Sequence, residues 1–424
     1  EADANVFTHE RAGPPSARGR CPSAGTDSPQ GLSVSGLSSP SAHPGARSAE
    51  GGPVSLAAPL RLSLQAPRRV PAGGLGVRGL WRDREAVRIR LQDGEGGWGL
   101  GEALPLPGYS RDDAAAAERV LGELAATLST RGLRVPSGPA GAPLIDAVLA
   151  PHAEVLAAST SARFALECAL LDLLARRDGR SAAAWLAGGR ALQAVPVSVL
   201  LPEAEDAAIA EAAAAAARGH TVLKLKIARP DRSASQEDAL LAAVRAAADA
   251  GAGGLRQVRL RLDANGALCP DEAVPRLTAL RRHGVELVEE PVAGAALLAL
   301  PPLPLAWAAD ESLADGALAD ALLALPPGLR PAALVLKPAQ LGLARCLRLA
   351  DAAAGRGVGV IVTHSLDGDL GHAAACALAL ALPQPPWPCG LAPHPGLRHP
   401  PPATPWLPLP TEPGLAVPDW DRAA

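Results

Sequence analysis

The sequence predicts an α/β protein: a modified (β/α)7β TIM-like barrel preceded by an α+β domain. From Val195 onward, seven short apolar runs alternate with Ala-rich stretches of helical character. Such repeated strand–helix alternation is typical of a parallel sheet, and seven or eight units suggest a closed barrel. The chain has 424 residues, of which 48% are hydrophobic and 20% charged, so it can build a sizeable core.

The composition excludes several classes of function. The net charge is −3 and the basic residues are spread along the chain, which argues against nucleic acid as a partner. The longest apolar stretches are interrupted by Pro and too short to span a membrane, and charged residues near the start argue against a signal peptide. The six Cys lie far apart with no C-x-x-C, as expected of free thiols in a reducing compartment. We therefore expect a cytoplasmic protein with no membrane partner.

Changes of residue composition and apolar periodicity along the chain predict four regions. Residues 1–55 are rich in Ser, Pro, Gly and Arg without any apolar period, so we expect a disordered, low-complexity leader. Residues 56–190 are expected to form the α+β domain and residues 191–400 the barrel. Residues 401–424 form a C-terminal tail, and we expect C-terminal residues to pack back on the first domain.

Within the first domain, the patterns predict an antiparallel sheet followed by helices. The segments LRLSL, EAVRIRLQD and GGWGLGEALPL alternate apolar and polar residues and are broken by Gly. Ser110–Asp113 resembles a helix cap, and Ala162–Gly179 carries apolar residues at helical spacing up to a terminal Gly. The string Gly74-x-Gly76-x-x-Gly79 matches a dinucleotide-binding fingerprint, but it does not lie between a strand and a helix, so we expect a mobile loop there.

Polar residues end five successive apolar runs of the predicted barrel. The steps between these ends are 37, 26, 21 and 27 residues, each about one strand-plus-helix unit. Because the carboxyl ends of barrel strands meet at one mouth, the ionisable groups should converge there. The five run ends read Lys224-Leu225-Lys226, Asp263-Ala264-Asn265, Glu289-Glu290-Pro291, Asp310-Glu311-Ser312 and Lys337-Pro338.

The residue types at this mouth predict a metal-assisted proton abstraction. Three carboxylates on adjacent strands, Asp263, Glu289 and Asp310, would repel one another unless a cation lay between them, and oxygen ligands favour a hard ion such as Mg²⁺ or Mn²⁺. Lys226 shares a strand face with a second ammonium, which should lower its pKa and supply a neutral amine as base. Lysines on both sides of a bound carboxylate suit removal of the α-proton of a small carboxylate substrate, the enediolate being held by the metal.

The motifs K-L-K, L-D-A-N-G, V-E-E-P, A-D-E-S and L-K-P-A-Q-L-G together resemble the enolase superfamily, in its muconate-lactonizing-enzyme-like branch. Within that branch the chain is most similar to the o-succinylbenzoate synthases, and the resemblance extends over about residues 60–397. It implies an N-terminal capping domain, in which Gly96–Ser110 would cover the substrate.

The resemblance also implies roles for single residues. Asp263, Glu289 and Asp310 match the Mg²⁺ ligands, Lys226 the catalytic base and Lys337 the charged lysine on the opposite face. Lys224 and Asn265 match positions near metal and substrate. The implied reaction is the syn-dehydration of 2-succinyl-6-hydroxy-2,4-cyclohexadiene-1-carboxylate to 2-succinylbenzoate, a step of menaquinone biosynthesis.

The seventh run departs from this pattern and leaves substrate recognition open. Thr363–Asp369 contains His364, Asp367 and Asp369 where small uncharged residues are expected beside the succinyl arm. Ser365 is the candidate substrate contact in this segment. His364 could act as a second acid or base, although a lone His at a strand end is more often structural.

Two alternatives to the lyase remain open. The same two lysines could act as paired bases in an N-acylamino acid racemase or a dipeptide epimerase. The motif L-K-P-A-Q-L-G and the absence of Asp-x-Asp after the last helix favour the lyase. An inactive barrel is disfavoured because both lysines and all three carboxylates are intact. The sequence also leaves open whether the protein is a monomer or a homo-oligomer.

Overall fold

The computed structural model describes residue 56 and residues 58–76, 79–254 and 257–418, with side chains omitted for residues 71–82. The predicted leader, residues 1–55, lies outside the described residues. The predicted domain boundaries stay predictions.

The first domain opens with a four-stranded antiparallel sheet, as the alternating segments predict. Strand β3 lies at its centre and pairs with β1, β2 and β4. The prediction of a loop is wrong for Gly74 and Gly76, which belong to β2, and for Gly79, which belongs to β3 and pairs with Gly76; residues 77 and 78 lie outside the described residues. The four strands are β1 (Arg61–Leu64), β2 (Arg68–Gly76), β3 (Gly79–Gln92) and β4 (Trp98–Ala103).

Among the described residues, five α-helices follow this sheet, with a 3-10 helix (Ala150–His152) between the second and the third. The predicted cap is confirmed, since the Asp113 carboxylate accepts the backbone N–H of Ala116 at the start of the first helix. The predicted helix up to Gly179 is also confirmed, and Ser159 caps its N-terminus. The helices are α1 (Ala114–Leu128), α2 (Ala142–Leu149), α3 (Ala153–Leu156), α4 (Thr160–Arg177) and α5 (Ala182–Leu186).

Helix α4 lies directly on strand β4, and glycines make this contact possible. A Cβ atom on Gly99 would lie 2.1 Å from the carbonyl oxygen of Ala169, and one on Gly101 would lie 1.9 Å from that of Ala165. No side chain fits in that space, so the alternate glycines of GGWGLGEA allow the helix to approach the strand backbone. The buried helix thereby joins the sheet to the rest of the fold.

The second part of the chain forms the predicted parallel sheet. Its seven strands follow one another in chain order across the sheet, so each pairs with the next along the sequence. Lys, Asp and Glu side chains stand at the C-terminal ends of several strands, while Leu287, Ala308, Ala333, Val335 and Ile361 pack together beneath them. The strands are β5 (Val199–Leu200), β6 (Val222–Lys226), β7 (Arg259–Asp263), β8 (Val285–Glu289), β9 (Ala306–Ala309), β10 (Ala333–Leu336) and β11 (Gly359–Val362).

The helices between these strands agree with the Ala-rich segments, with one exception. Between β8 and β9 the described residues form a 3-10 helix, Gly294–Ala299, and no α-helix. Prolines at 301, 302 and 304 follow it directly and remove the backbone donors that a longer helix would need. The remaining helices are α6 (Glu205–Ala217), α7 (Ala234–Gly251), α8 (Pro270–Leu280), α9 (Gly316–Ala324), α10 (Pro338–Leu341), α11 (Leu343–Ala354) and α12 (Asp369–Leu380).

The segment Cys389–Gly390 joins the two edges of the parallel sheet. Val197, just before β5, forms a parallel bridge with Cys389, and Thr363, just after β11, forms one with Gly390. Backbone hydrogen bonds from Ser198 to Cys389 and from Gly390 to Val362 support both bridges. This short eighth segment closes the barrel that the repeat predicts.

Candidate active site at the barrel mouth

The strand register places three of the predicted residues side by side. Lys226 pairs with Asp263 across β6 and β7, and Asp263 pairs with Glu289 across β7 and β8. Asp310 and Lys337 follow the last residues of β9 and β10 on the same edge of the sheet. The predicted convergence at one mouth is therefore present in the fold.

Lys224 lies between two of the carboxylates. Its Nζ atom is 2.9 Å from Oδ2 of Asp263 and donates a 2.5 Å hydrogen bond to Oε2 of Glu289. Burial works against the charged form, but the two carboxylates outweigh it and raise the pKa of Lys224. Burial also acts to raise the pKa of Asp263, yet the contact with Lys224 holds it below its usual value. A direct substrate contact by Lys224 stays a prediction.

Lys337 is held on the opposite side of the mouth. Its Nζ atom donates to Oδ2 of Asp310 at 2.7 Å and to Oε1 of Glu311 at 3.1 Å. Burial disfavours the ammonium, but these two carboxylates more than offset it and keep the pKa of Lys337 well above the usual value. Lys337 is therefore anchored between two carboxylates that favour its charged form.

Lys226 has a different environment from the other two lysines. Burial lowers its pKa, Asp263 partly offsets that effect, and the charge of Lys224 adds to the lowering. The predicted direction is thus confirmed, although burial is the largest cause and the neighbouring ammonium a smaller one. Its Nζ atom lies 5.7 Å from the centre of the Tyr109 ring, which comes from the segment expected to cover the substrate.

Glu290 is a residue of the mouth to which the sequence assigned no role. Its carboxylate accepts the backbone N–H of Asp310 at 2.7 Å and that of Ser312 at 3.1 Å. Its own backbone has φ of 37°, a left-handed conformation that costs energy in a non-glycine residue. Burial raises its pKa to about 7. Glu290 thus fixes the backbone from which Asp310 projects, and the second Glu of V-E-E-P was the available signal.

Asn265 also occupies a strained position, with φ of 43°. Its backbone N–H donates to Oδ1 of Asp263 at 3.0 Å, and its side-chain amide donates to Oε1 of Glu311 at 3.3 Å. Asn265 therefore connects a carboxylate of β7 with the carboxylate that holds Lys337. Its predicted contact with substrate stays a prediction.

The oxygen-rich donor set of this mouth fits a divalent cation. Asp263, Glu289 and Asp310 are each at most 4% exposed, and Oδ1 of Asp310 is buried without a hydrogen-bond partner among the described residues. Within those residues, no group of three or more His, Cys, Asp or Glu side chains stands arranged as a metal site. The carboxylates instead face Lys224 and Lys337, so their oxygens would have to turn toward a shared cation.

The segment after β11 lies beside a small cavity lined by Ser365, Asp367 and residues of the first domain. The Ser365 hydroxyl accepts a hydrogen bond from the Gln340 amide at 3.3 Å. The backbone N–H of Ser365 donates to the Asp367 carboxylate at 3.2 Å. Burial raises the pKa of Asp367 to about 6. Asp369 instead binds His399 and the backbone beside it. The two acids thus have separate environments, and the substrate contact of Ser365 stays a prediction.

Both ring nitrogens of His364 have hydrogen-bond partners in this fold. Its Nε2 atom lies 3.2 Å from the carbonyl oxygen of Ala392, and Nδ1 accepts the backbone N–H of Leu366 at 3.0 Å. Its ring packs against those of His372 and His394, with centres 5.4 and 4.7 Å away. Burial keeps its pKa well below the usual value, so a neutral ring with both nitrogens engaged agrees with the structural interpretation.

The lysine content of the chain is a second signal that motif analysis did not use. The sequence contains three lysines, at 224, 226 and 337, against 37 arginines. All three stand at the barrel mouth. The chain therefore uses arginine for every other cationic side chain and lysine only at this site.

Comparisons with known proteins agree with this arrangement. A family model described as "Enolase C-terminal domain-like" matches residues 207–422. A protein of Desulfotalea psychrophila (strain LSv54 / DSM 12343) named "o-succinylbenzoate synthase" is 35% identical over 346 residues, which cover 76% of this chain and 89% of that one. A protein of Thermobifida fusca (strain YX) with the same name is 35% identical over 201 residues, 47% of this chain and 59% of that one.

Solved structures share the fold. A dipeptide epimerase from Enterococcus faecalis V583 superposes with a TM-score of 0.70 at 20% identity, covering 85% of this chain and 99% of that one. A muconate lactonizing enzyme from Pseudomonas putida gives 0.68 at 23% identity, covering 86% and 98%. In the described part of the chain, no helix has the length and apolar character needed to cross a membrane. The matched family model and the extended similarity together establish that this chain belongs to the enolase superfamily.

Proposed function

We propose that the protein is an o-succinylbenzoate synthase, a hydro-lyase that converts 2-succinyl-6-hydroxy-2,4-cyclohexadiene-1-carboxylate to 2-succinylbenzoate and water. Two relatives named for this activity are 35% identical, one of them over 89% of its length, and a third is 30% identical. Menaquinone biosynthesis as the pathway and the cytoplasm as the compartment are part of the same proposal.

The observation that carries the proposal is the unequal state of the two opposed lysines. Lys226 has a lowered pKa and so can release its proton to become a base. Lys337 is bonded to two carboxylates, and its pKa is raised. A syn-dehydration needs one base and one fixed cation, whereas a racemase needs two groups that both exchange protons. Glu311 lies outside the proposed metal set, so it can keep Lys337 charged when Asp310 turns to the cation, and the difference between the two lysines therefore favours the lyase.

In the proposed reaction, the Lys226 amine removes the proton from C1 of the substrate, next to its ring carboxylate. The C–H electrons move first toward the ring carboxylate, whose oxygens gain negative charge, and then return to form the double bond from C1 to C6 as the bond from C6 to the hydroxyl breaks. The Lys226 ammonium then gives its proton to the departing hydroxyl, which leaves as water, and the ring becomes aromatic. Lys337, on the opposite side, stabilises the negative charge that develops on the carboxylate oxygens.

Asp263, Glu289 and Asp310 would hold the divalent cation, with Mg²⁺ favoured and Mn²⁺ the alternative hard ion. When bound, such an ion neutralises negative charge that builds up on the substrate carboxylate. Glu290 supports this set through the backbone of Asp310. Asn265 supports it through the backbone hydrogen bond to Asp263.

The second candidate is an N-acylamino acid racemase or dipeptide epimerase. The similarity to a dipeptide epimerase at 20% identity concerns the fold, so it does not decide between the two reactions. What would favour this candidate is a Lys337 able to lose its proton, and its two carboxylate partners oppose that.

The test is to incubate the purified protein and Mg²⁺ with the cyclohexadiene substrate and to follow formation of 2-succinylbenzoate by NMR. Lys226→Ala should lower turnover by about 10²–10⁴-fold, the usual contribution of a general base. A parallel incubation with N-succinyl amino acids in D₂O should show slow α-proton exchange at most. Rapid racemisation there, without dehydration of the cyclohexadiene, would replace the lyase by the isomerase.

A further inference from the structure

Helix α4 of the first domain carries two fully buried carboxylates, Glu167 and Asp172. Neither belongs to the barrel mouth, and burial raises the pKa of each. A buried carboxylate is costly unless hydrogen bonds satisfy it, so the partners of each residue indicate what it stabilises. The two residues have different partners.

Glu167 binds the start of a barrel helix. Its Oε2 atom accepts the backbone N–H of Leu343, the first residue of α11, at 2.6 Å, and its Oε1 atom accepts from Nε of Arg163 at 3.1 Å. Gly342, the N-cap of α11, has no side chain to satisfy this end of the helix. The carboxylate of one domain therefore caps a helix of the other.

The fit around Gly342 shows that the contact is built closely. A Cβ atom at this position would lie 3.0 Å from Oε1 and 3.1 Å from Oε2 of Glu167, and the φ angle of Gly342 is 83°. The backbone conformation favours glycine here, and a Cβ atom would crowd the Glu167 carboxylate. The L-K-P-A-Q-L-G motif thus ends at the point where the first domain contacts it.

The residues between this contact and Lys337 form one hydrogen-bonded unit. The carbonyl oxygen of Lys337 accepts the N–H groups of Gln340 and Leu341 at 2.9 and 3.0 Å. The N–H of Gly342 donates to Pro338 at 2.7 Å. One end of this unit carries Lys337, and the other end is the helix start bound by Glu167.

We infer that Glu167 is a positioning residue, which holds the Lys337–Leu343 unit so that the Lys337 ammonium keeps its place at the barrel mouth. The same unit carries Gln340, which donates to Ser365 beside the small cavity. The effect of Glu167 on turnover rests on the proposed function, whereas its contact with Leu343 does not depend on which reaction the protein catalyses. Asp172 differs, since it accepts the N–H groups of Leu100 and Leu415, far from Lys337 in the chain.

Asp172 therefore supplies the matched control for a test of Glu167. Both are buried acids on α4 that accept backbone N–H groups and an arginine. We expect Glu167→Ala to lower turnover of the proposed dehydration about tenfold or more, with KM changed less than about threefold, because small misplacements of a catalytic group are costly. Glu167→Gln, which keeps an acceptor for Leu343, should recover most of the turnover. Asp172→Ala should lower the melting temperature with turnover within about twofold of wild type.

A second readout needs no substrate. Hydrogen–deuterium exchange followed by mass spectrometry should show faster exchange in residues 338–344 of Glu167→Ala, and in residues 412–416 of Asp172→Ala. If Glu167→Ala does not fold, Leu343→Pro removes the same hydrogen bond from the other side, because proline has no backbone N–H and is tolerated at the first position of a helix.

The outcomes separate the two proposals. If the wild-type protein shows no dehydration, the proposed function fails, while exchange in residues 338–344 still decides whether Glu167 orders this unit. If exchange there is the same in Glu167→Ala and wild type, the positioning role is wrong. It is equally wrong if both alanine variants lose turnover only in proportion to their loss of stability.

Discussion

The three lysines of the barrel mouth should differ sharply in their reactivity toward amine reagents. Only the neutral amine reacts, and an ordinary lysine with a pKa of about 10.4 is roughly 0.4% neutral at pH 8. The pKa of Lys226 lies below the usual value, while those of Lys224 and Lys337 lie above it. Each unit of difference changes the neutral fraction tenfold.

Accessibility does not oppose this ranking. The side chains of Lys224 and Lys337 are 17% and 13% exposed, and Lys226 is also partly exposed. The difference in neutral fraction should therefore decide the rates. We expect Lys226 to react at least about tenfold faster than either neighbour at pH 8.

The assay is limited trinitrophenylation of the metal-free protein, followed by peptide mass spectrometry at several times. Because the chain has only three lysines, each modified peptide identifies its residue, and the α-amino group is distinguished by its own peptide. Lys226→Arg should leave the other two lysines largely unmodified over the same period. Equal or faster modification of Lys337 would refute the assignment of base and cation.

Three further outcomes follow from the site and its surroundings. Asp310→Asn should weaken Mg²⁺ binding, measured by calorimetry, about tenfold or more. The control Asp315→Asn, on an exposed helix cap, should leave Mg²⁺ affinity unchanged. Equal affinities of the two variants would remove Asp310 from the set of metal ligands. Lys337→Arg keeps the charge and should retain measurable dehydration, so a complete loss would argue that Lys337 also transfers protons. Burial lowers the pKa of His394 to about 4, so the unfolded chain binds more protons between that value and about 6.5, and stability falls as the pH drops through this window. In urea titrations, His394→Gln should remove up to about 3 kcal/mol of this fall in the free energy of unfolding. The variant is compared with wild type because Asp367 acts in the opposite direction. An unchanged pH profile would contradict the role of His394.

Much of the fold could be predicted because its signals are local. Each apolar run of the barrel needs only its own residues to indicate a strand, and the positions of the five polar run ends indicate the mouth. Cys389–Gly390 belongs to the expected last strand region, but the pairing that it makes could not be predicted in the same way. Two residues carry no period, and their pairing with Val197 and Thr363 depends on distant parts of the chain. The 3-10 helix after β8 was missed because spacing alone does not show which kind of helix fills a connection.

The site was predictable to the level of which residues meet, and less so in how they are paired. Strand register fixes the row of Lys226, Asp263 and Glu289, since residues at strand ends lie side by side. Side-chain conformations then decide that Lys224 binds two carboxylates while Lys226 faces Tyr109. That choice depends on burial and on neighbours from other elements. Burial is the largest cause of the lowered pKa of Lys226. The burial of a single residue cannot be read from the sequence.

The restriction of lysine to the barrel mouth has a physical explanation that joins these observations. An arginine remains charged at any physiological pH, so it cannot act as the base that Lys226 is proposed to be. Lys224 needs a compact ammonium, because one nitrogen reaches carboxylates on two neighbouring strands at 2.9 and 2.5 Å. Lys337 meets the same requirement between Asp310 and Glu311. A guanidinium is larger and spreads its donors over a rigid plane. Arg163 therefore reaches Asp146 and Glu167 with two different nitrogens, whereas Lys224 and Lys337 each place a single nitrogen between two carboxylates. Lysine thus stands where this geometry or proton transfer requires it.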